Sequence, residues 1–129
     1  MNTILVEVSV GELLDKISIL EIKKEKIKDS EKLQFINDEY KVLKHQLDKN
    51  VKSDEKIDKL FQSLKEINAK LWIIEDDKRL CEKNSDFSEK FIKLSRDVHF
   101  LNDDRAKIKL EINHHTGSKI KEIKKYTTY

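Results

Sequence analysis

Apolar residues recur at helical spacing along most of the chain and predict four helices. Between residues 10 and 115 the apolar side chains alternate at intervals of three and four positions, the period of an α-helix. These stripes, with the capping residues between them, predict helices over about 10–28, 31–49, 54–83 and 87–115. The pattern therefore indicates an all-α fold, an antiparallel helical bundle.

The four stripes differ in width. Those of the third and fourth helices, Leu60 to Cys81 and Phe87 to Ile112, keep a strict alternation across a short turn. They predict a long antiparallel hairpin with coiled-coil packing. In the first helix, Leu14, Ile19 and Ile22 lie off the main stripe, so we expect burial on more than one side, in a central helix or an oligomer contact.

Local signals place the ends of the elements. Ser9 and Glu12 form a capping box before the first helix, and Asp86 with Glu89 predicts another before the fourth. The β-branched residues 3–8 predict a short strand or an extended arm. Residues 118–129 after Gly117 are expected to be extended, with pairing to residues 3–8 as one arrangement. We expect a single helical domain over 1–129, with extended arms at 1–8 and 118–129.

Composition excludes several classes of protein. The 129 residues include no proline and two glycines, too few for the turns of a β-sandwich or for a glycine-rich phosphate loop. Charged residues make up 40% of the chain, but the net charge of +2 argues against a nucleic-acid binder. No apolar run predicts a membrane span, and the first residues lack the pattern of a secretory signal. The lone Cys81 predicts a reduced, cytoplasmic protein without disulfides.

The arginines stand out against a lysine-rich background. There are 24 lysines but only three arginines, Arg79, Arg96 and Arg105, all in the second half. Arg105 falls on the apolar stripe of the fourth helix, where a charge needs a partner, and the hairpin register places it opposite Leu64 to Asn68.

Polar residues beside the hairpin seam form the candidate site. Its members are Arg79, Arg96, Arg105, Glu75, Asp76, Trp72, Asn102 and Asp103. One interpretation is an interhelical salt-bridge network. Another is an anion site, in which guanidinium groups grip a phosphate or carboxylate in a bidentate fork. A third is a divalent cation on the carboxylates, which neighbouring arginines disfavour.

Other motifs lack the partners that their chemistry needs. Glu111 and His114 match one half of a di-metal motif, but no second pair follows. No suitable base accompanies Cys81 as a nucleophile. The lysines near Tyr126 and Tyr129 are a weak signal for nucleic-acid contact. The sequence therefore predicts no metal site and no cofactor.

Three segments together resemble a known family. They are VEVSVGELLDKISILEIK at 6–23, LWIIEDDKR at 71–79, and NDDRAKIKLEIN at 102–113, followed by Gly117 and Ser118. They resemble a domain-of-unknown-function family of small bacterial and phage proteins, and the resemblance covers nearly the whole chain. It implies one complete unit, and carries over no activity, ligand or catalytic residue.

Two function hypotheses follow from the sequence. The leading one is a cytoplasmic helical bundle that acts through protein–protein contacts, self-association included. The alternative is a helical enzyme that binds an anionic or phosphorylated ligand at the arginine and carboxylate cluster between the third and fourth helices. Without a catalytic constellation, the sequence favours a protein that is not an enzyme.

Overall fold

The structure, a computed structural model, describes residues 3–129 and contains four helices. They are α1 (Val10–Lys26), α2 (Ser30–Asn50), α3 (Glu55–Lys83) and α4 (Glu89–Thr116). Each bound lies within two residues of the one expected from the sequence. The all-α prediction is confirmed.

The strand considered for residues 3–8 does not form. Residues 3–8 and 119–129 have no regular secondary structure, and the described part of the chain contains no strand. The pairing considered between these two segments is therefore also wrong. A two-stranded ribbon without a sheet or helix to pack against is at most marginally stable in water, which explains its absence. Residues 1 and 2 of the expected arm lie outside the described residues.

Side-chain caps hold three of the four helix starts. The Ser9 hydroxyl accepts a hydrogen bond from the Glu12 backbone N–H at 3.1 Å, as predicted. Asp29 caps α2, and Asp54 caps α3 by accepting from the Ile57 N–H at 2.8 Å. These acceptors satisfy amide groups that have no partner within the helix. At the other end of the chain, Gly117 ends α4 with a left-handed φ of 67°.

The fourth helix starts differently from the prediction. Its N-cap is Ser88, which makes no side-chain capping bond, and the Asp86–Glu89 capping box does not form. Instead, Asp86 Oδ1 accepts from the Ser88 backbone N–H at 3.1 Å and from the Ser88 hydroxyl at 2.6 Å. The Asp86 carboxylate closes a local turn, so it is not available to the first turn of the helix.

The central element is α1, which packs against α2, α3 and α4. Leu14, Ile17 and Ile22 are almost completely buried although they do not share one stripe. The wide apolar surface predicted for α1 is therefore covered by other helices of the same chain. Leu14 also belongs to the main apolar cluster, with Ile57, Leu64 and Ile112.

The helices α3 and α4 form the predicted antiparallel hairpin. Asp54 at the start of α3 lies against His115 at the end of α4, and Asn68 lies against Arg105 further along. The α1 helix packs on this hairpin near its open end. Among residues 3–129, no helix has the length and apolar character needed to cross a membrane.

Candidate functional site

A network of polar side chains lies where α1, α3 and α4 meet. Asn68 is buried in α3, and its Nδ2 donates to Asp15 Oδ1 at 2.7 Å and to Ser18 Oγ at 2.8 Å. Its Oδ1 accepts from Arg105 Nη1 at 3.0 Å. Arg105 Nη2 donates to Asn102 Oδ1 at 2.6 Å. One asparagine thus connects a buried carboxylate to a guanidinium. We call these five residues the polar network.

The buried members of the polar network are all hydrogen-bonded. Asp15, Ser18 and Asn68 are all buried, and within residues 3–129 every buried side-chain nitrogen or oxygen has a partner. Buried polar groups destabilise a fold unless such bonds compensate their loss of water. A helical bundle can be built without them, so this junction is the natural place to look for a functional site.

One turn after Arg105, Lys109 lies among carboxylates. Its Nζ is 2.6 Å from Glu12 Oε2, 3.5 Å from Glu122 Oε2 and 3.9 Å from Asp15 Oδ2. Arg105 differs, because no carboxylate oxygen within residues 3–129 lies within 4.0 Å of its guanidinium, and its hydrogen bonds go to two amides. The lysine is paired with carboxylates, whereas the arginine is held in place by neutral amide groups.

The polar network depends on a close approach between α1 and α4. The backbone N–H of Gly11 donates to Asn113 Oδ1 at 2.7 Å. A Cβ at position 11 would lie 2.5 Å from the Lys109 backbone oxygen. Only glycine permits this distance. The contact also brings Glu12 and Asp15 to Lys109.

A groove of about 600 Å³ lies between α4 and the C-terminal segment, residues 118–129. We call it the C-terminal groove. Its lining comes from both elements: His99, Asn102, Asp103, Arg105, Ala106, Lys109, Glu122, Lys124, Tyr126, Thr127 and Tyr129.

The C-terminal segment is tied to the bundle at both ends. Ser118 Oγ accepts from the Val10 backbone N–H at 3.2 Å. At the other end, the Tyr129 ring lies 5.1 Å from the His99 ring and 5.3 Å from the Phe100 ring, between centroids. The Tyr129 hydroxyl donates to the Asp103 carboxylate. The segment therefore runs back along α4.

Three pKa values in the C-terminal groove follow from these contacts. The hydrogen bond from Lys124 and the charge of Lys109 lower the pKa of Glu122. The same carboxylate raises the pKa of Lys124. The bond to Asp103 raises the pKa of Tyr129 to about 12, because ionisation would set two negative charges side by side.

The residues of the candidate site divide between two grooves. A second, more open groove of about 340 Å³, here the Trp72 groove, lies beside α3. Trp72, Glu75, Asp76, Arg79 and Arg105 line it. Asn102 and Asp103 line the C-terminal groove, and Arg105 lies between the two and lines both.

The structure does not unite the three arginines. Arg96 lines neither groove and lies 5.8 Å from the Phe100 ring centroid on the exposed side of α4. In the part of the chain that the structure describes, none of the three arginines forms an ion pair with a carboxylate. The salt-bridge network considered from the sequence, with Glu75 and Asp76 as partners, is therefore not formed.

No metal centre is evident among the described residues. Residues 3–129 contain no group of three or more histidine, cysteine, aspartate or glutamate side chains placed to hold an ion. Glu111 and His114 both lie exposed near the end of α4, and Cys81 is buried.

The comparison with known families identifies the chain. The model of the family of unknown function DUF6165 matches residues 4–129. The chain belongs to this family. The resemblance to a family without an assigned function is thereby confirmed. No curated protein and no solved structure matches the chain.

Parts of the polar network in this DUF6165 chain were missed from the sequence. Asp15, Ser18 and Asn68 were not among the candidate site residues, although Arg105 and Asn102 were. The neighbouring Lys109 and Glu122 were missed as well. A signal was present in α1, where Asp15 and Ser18, three positions apart, interrupt the buried apolar surface beside Leu14. Two polar residues on a helix surface that is otherwise apolar indicate a buried polar contact.

Proposed function

We propose that this DUF6165 chain binds a small organic anion, a carboxylate or a phosphate, in the C-terminal groove. The observation that carries the proposal is the state of Arg105. Its guanidinium is fixed by Asn68 and Asn102 but has no carboxylate partner in the described chain. A guanidinium has five N–H donors, and those not used by the amides can form a fork to an anion.

A second cation supports the site. Lys124 of the C-terminal segment lines the same groove, and the charge of Arg105 acts against its positive form. An anion between the two side chains would relieve this repulsion. The groove, at about 600 Å³, has a volume in the range of small-molecule sites, roughly 300–1,000 Å³.

We propose binding as the main role and keep catalysis as an extension of it. An enzyme would have to use Glu75 and Asp76, which lie exposed in the Trp72 groove with Arg105. The buried polar groups Asp15 and Asn68 are bonded to each other. We also propose a cytoplasmic location, which the buried free thiol of Cys81 supports.

The test is thermal unfolding with inorganic phosphate and with citrate as probes. A ligand that binds only the folded chain raises the Tm with its concentration. We expect this rise in the wild type and in Arg96→Gln, because Arg96 lies outside both grooves. We expect it to be lost in Arg105→Gln and reduced in Lys124→Gln, whose side chain is exposed.

Two results would contradict the proposal. One is no concentration-dependent shift with either probe in the wild type. The other is an equal loss in Arg96→Gln and Arg105→Gln, which would indicate general charge screening. Comparing each variant with its own Tm in the absence of probe separates binding from any change in stability.

A second candidate function is protein–protein contact, with self-association as its simplest form. Ile4, Leu5 and Val6 are 87%, 94% and 73% exposed, an unusual amount of apolar surface for adjacent residues. The wide apolar surface of α1 no longer supports this candidate, because other helices of the bundle cover it. We also propose that α3 and α4 pack against each other as a coiled coil.

Sedimentation velocity over a concentration series tests this candidate. We expect the wild type to associate and Leu5→Asp to sediment as a monomer. Glu7→Gln, in the same arm but without a new charge, is the control. A wild type that is monomeric at every concentration would contradict the proposal of self-association.

A further inference from the structure

Glu122 places the chain's own carboxylate inside the proposed anion site. Its Oε1 lies 2.7 Å from Lys124 Nζ, and its Oε2 lies 3.5 Å from Lys109 Nζ. Both lysines line the C-terminal groove beside Arg105. The cations that an incoming anion would meet are therefore already engaged by a carboxylate of the segment that covers the groove.

The hold of Glu122 on α4 is easily exchanged. Between the contacts of Ser118 and Tyr129, the pair of Glu122 with Lys109 is the only ion pair from the C-terminal segment to α4 among the described residues. The Glu122 side chain is 40% exposed and its oxygen is 3.5 Å from Lys109, and a long, partly exposed ion pair of this kind contributes little free energy. The segment also has no regular secondary structure and is largely exposed, so it belongs to the part of the fold that opens most readily.

Release of Glu122 would not leave Lys109 without a partner. Lys109 keeps Glu12 at 2.6 Å and Asp15 at 3.9 Å. Lys124, in contrast, would lose the carboxylate that it contacts at 2.7 Å, in the groove that Arg105 also lines. Departure of Glu122 thus uncovers two neighbouring positive charges, which match a ligand with two negative charges.

We infer that a compact dianion, such as a phosphate monoester, enters the C-terminal groove by exchanging with the Glu122 carboxylate. This inference rests on the proposed function, because it concerns the same site. The C-terminal segment then acts as a strap. With Glu122 in place it competes with the ligand. With the ligand bound to Arg105 and Lys124, the Glu122 side chain leaves Lys109, and Lys124 stays over the groove. An anion that adds to the groove without exchange would leave Glu122 beside Lys109.

Four proteins test the exchange: the wild type, Glu122→Gln, Arg105→Gln and the control Glu111→Gln. Glu111 is also exposed on α4, with Lys56 at 3.9 Å, but it lies outside the groove. Inorganic phosphate is the probe. Its affinity is measured by calorimetry, and the mobility of residues 120–129 by the backbone ¹⁵N heteronuclear NOE, which needs no hydrogen-bonded amide.

Exchange predicts a specific set of results. Glu122→Gln binds phosphate roughly two- to fivefold more tightly than the wild type, the range expected from loss of an exposed ion pair, while Glu111→Gln does not. Without phosphate, the NOE of residues 120–129 is lower in Glu122→Gln than in the wild type. In Glu122→Gln, saturating phosphate raises the NOE again, because the ligand then links Lys124 to Arg105. Phosphate does not change the NOE in Arg105→Gln.

Failure of the exchange is distinguishable from failure of the site. If phosphate binds the wild type but Glu122→Gln binds no more tightly and the NOE does not change, the exchange is wrong and the anion site stands. If phosphate binds neither protein, the proposed site is wrong and the exchange falls with it.

Discussion

The two ends of the α3/α4 hairpin are built from similar sequence patterns but have different interiors. The base comprises α1 with residues 57–71 of α3 and 102–116 of α4, and it contains most of the buried side chains of the described chain. In the tip, residues 72–101, Cys81 alone is buried. Exposed apolar side chains collect there instead, Ile73, Leu80, Phe87 and Ile92 among them.

The presence of α1 explains this difference. In the base, α1 packs against both α3 and α4, so each helix has neighbours on two sides. In the tip, two helices share one seam, and apolar residues beside that seam stay in contact with water. The same three-and-four spacing therefore produces a core only where a third helix covers it. The polar network lies in the base, where three helices can hold its side chains rigidly.

The largest expected effect comes from one leucine in each region. Leu64 in the base is completely buried, whereas Leu80 in the tip is half exposed, and both belong to α3. We expect Leu64→Ala to lower the free energy of unfolding by about 2–5 kcal/mol, because it leaves a cavity in the core. Leu80→Ala should cost less than about 1 kcal/mol. Urea unfolding measures both values, and similar losses would show that the tip is as well packed as the base.

The next effect concerns the polar network. Asn68→Ala removes the donor to Asp15 and the acceptor of Arg105, and leaves a buried carboxylate with fewer partners. We expect a loss on the order of 2–4 kcal/mol in urea unfolding. Gln62→Ala, on the exposed side of α3, is the matched control and should be close to neutral.

A double variant sharpens this prediction. If Asn68 acts mainly on Asp15, then Asp15→Ala combined with Asn68→Ala should cost less than the two single losses added together. Additive losses would mean that the two side chains stabilise the fold independently.

Helix caps offer a smaller comparison of the two regions. Asp54 caps α3 in the base, with its carboxylate bonded to the Ile57 N–H and to His115, whereas Ser88 makes no capping bond at the tip. We expect Asp54→Ala to lower the Tm more than Ser88→Ala. Differential scanning calorimetry provides the comparison, and the opposite order would contradict the cap assignment.

The smallest effect is a local dependence on pH. The hydrogen bond from Lys124 and the charge of Lys109 lower the pKa of Glu122, and the contact with Lys109 of α4 favours the docked C-terminal segment when Glu122 is ionised. This contribution is complete above the ordinary carboxyl pKa of 4.5 and is lost as the pH falls through the lowered value. The ¹⁵N NOE of residues 120–129 should therefore decrease in acid. In Glu122→Gln the decrease should be smaller, and an equal decrease would show that Glu122 is not the group responsible.

The prediction from the sequence succeeded where the signal is local. Ser9 and Gly117 placed two helix ends, and the off-stripe residues Leu14 and Ile22 predicted burial of α1 on more than one side, in a central helix or an oligomer contact. The capping box of Asp86 and Glu89 was predicted wrongly, because Asp86 binds the nearer Ser88 in a turn. Two geometries compete for the same carboxylate there, and residue spacing alone does not rank them.

The candidate site was predicted in part. Arg105 was recognised because a charge on an apolar stripe needs a partner, and the hairpin register correctly placed it by Asn68. Arg96 was placed in the same cluster, but it lies outside both grooves. The contribution of α1 was missed, since register within a hairpin says nothing about which side chains a third helix brings.

The sequence by itself determined the four helices and the all-α class, because helical period and capping depend on residues within one or two turns of each other. Only the tertiary structure decided which polar residues meet. Asp15 reaches Asn68 across 53 positions, and this contact needs α1 to lie close to α4 at Gly11. The charge of Arg105 was readable in the sequence. The packing of three helices decides that Arg105 bonds to amides and, within residues 3–129, pairs with no carboxylate.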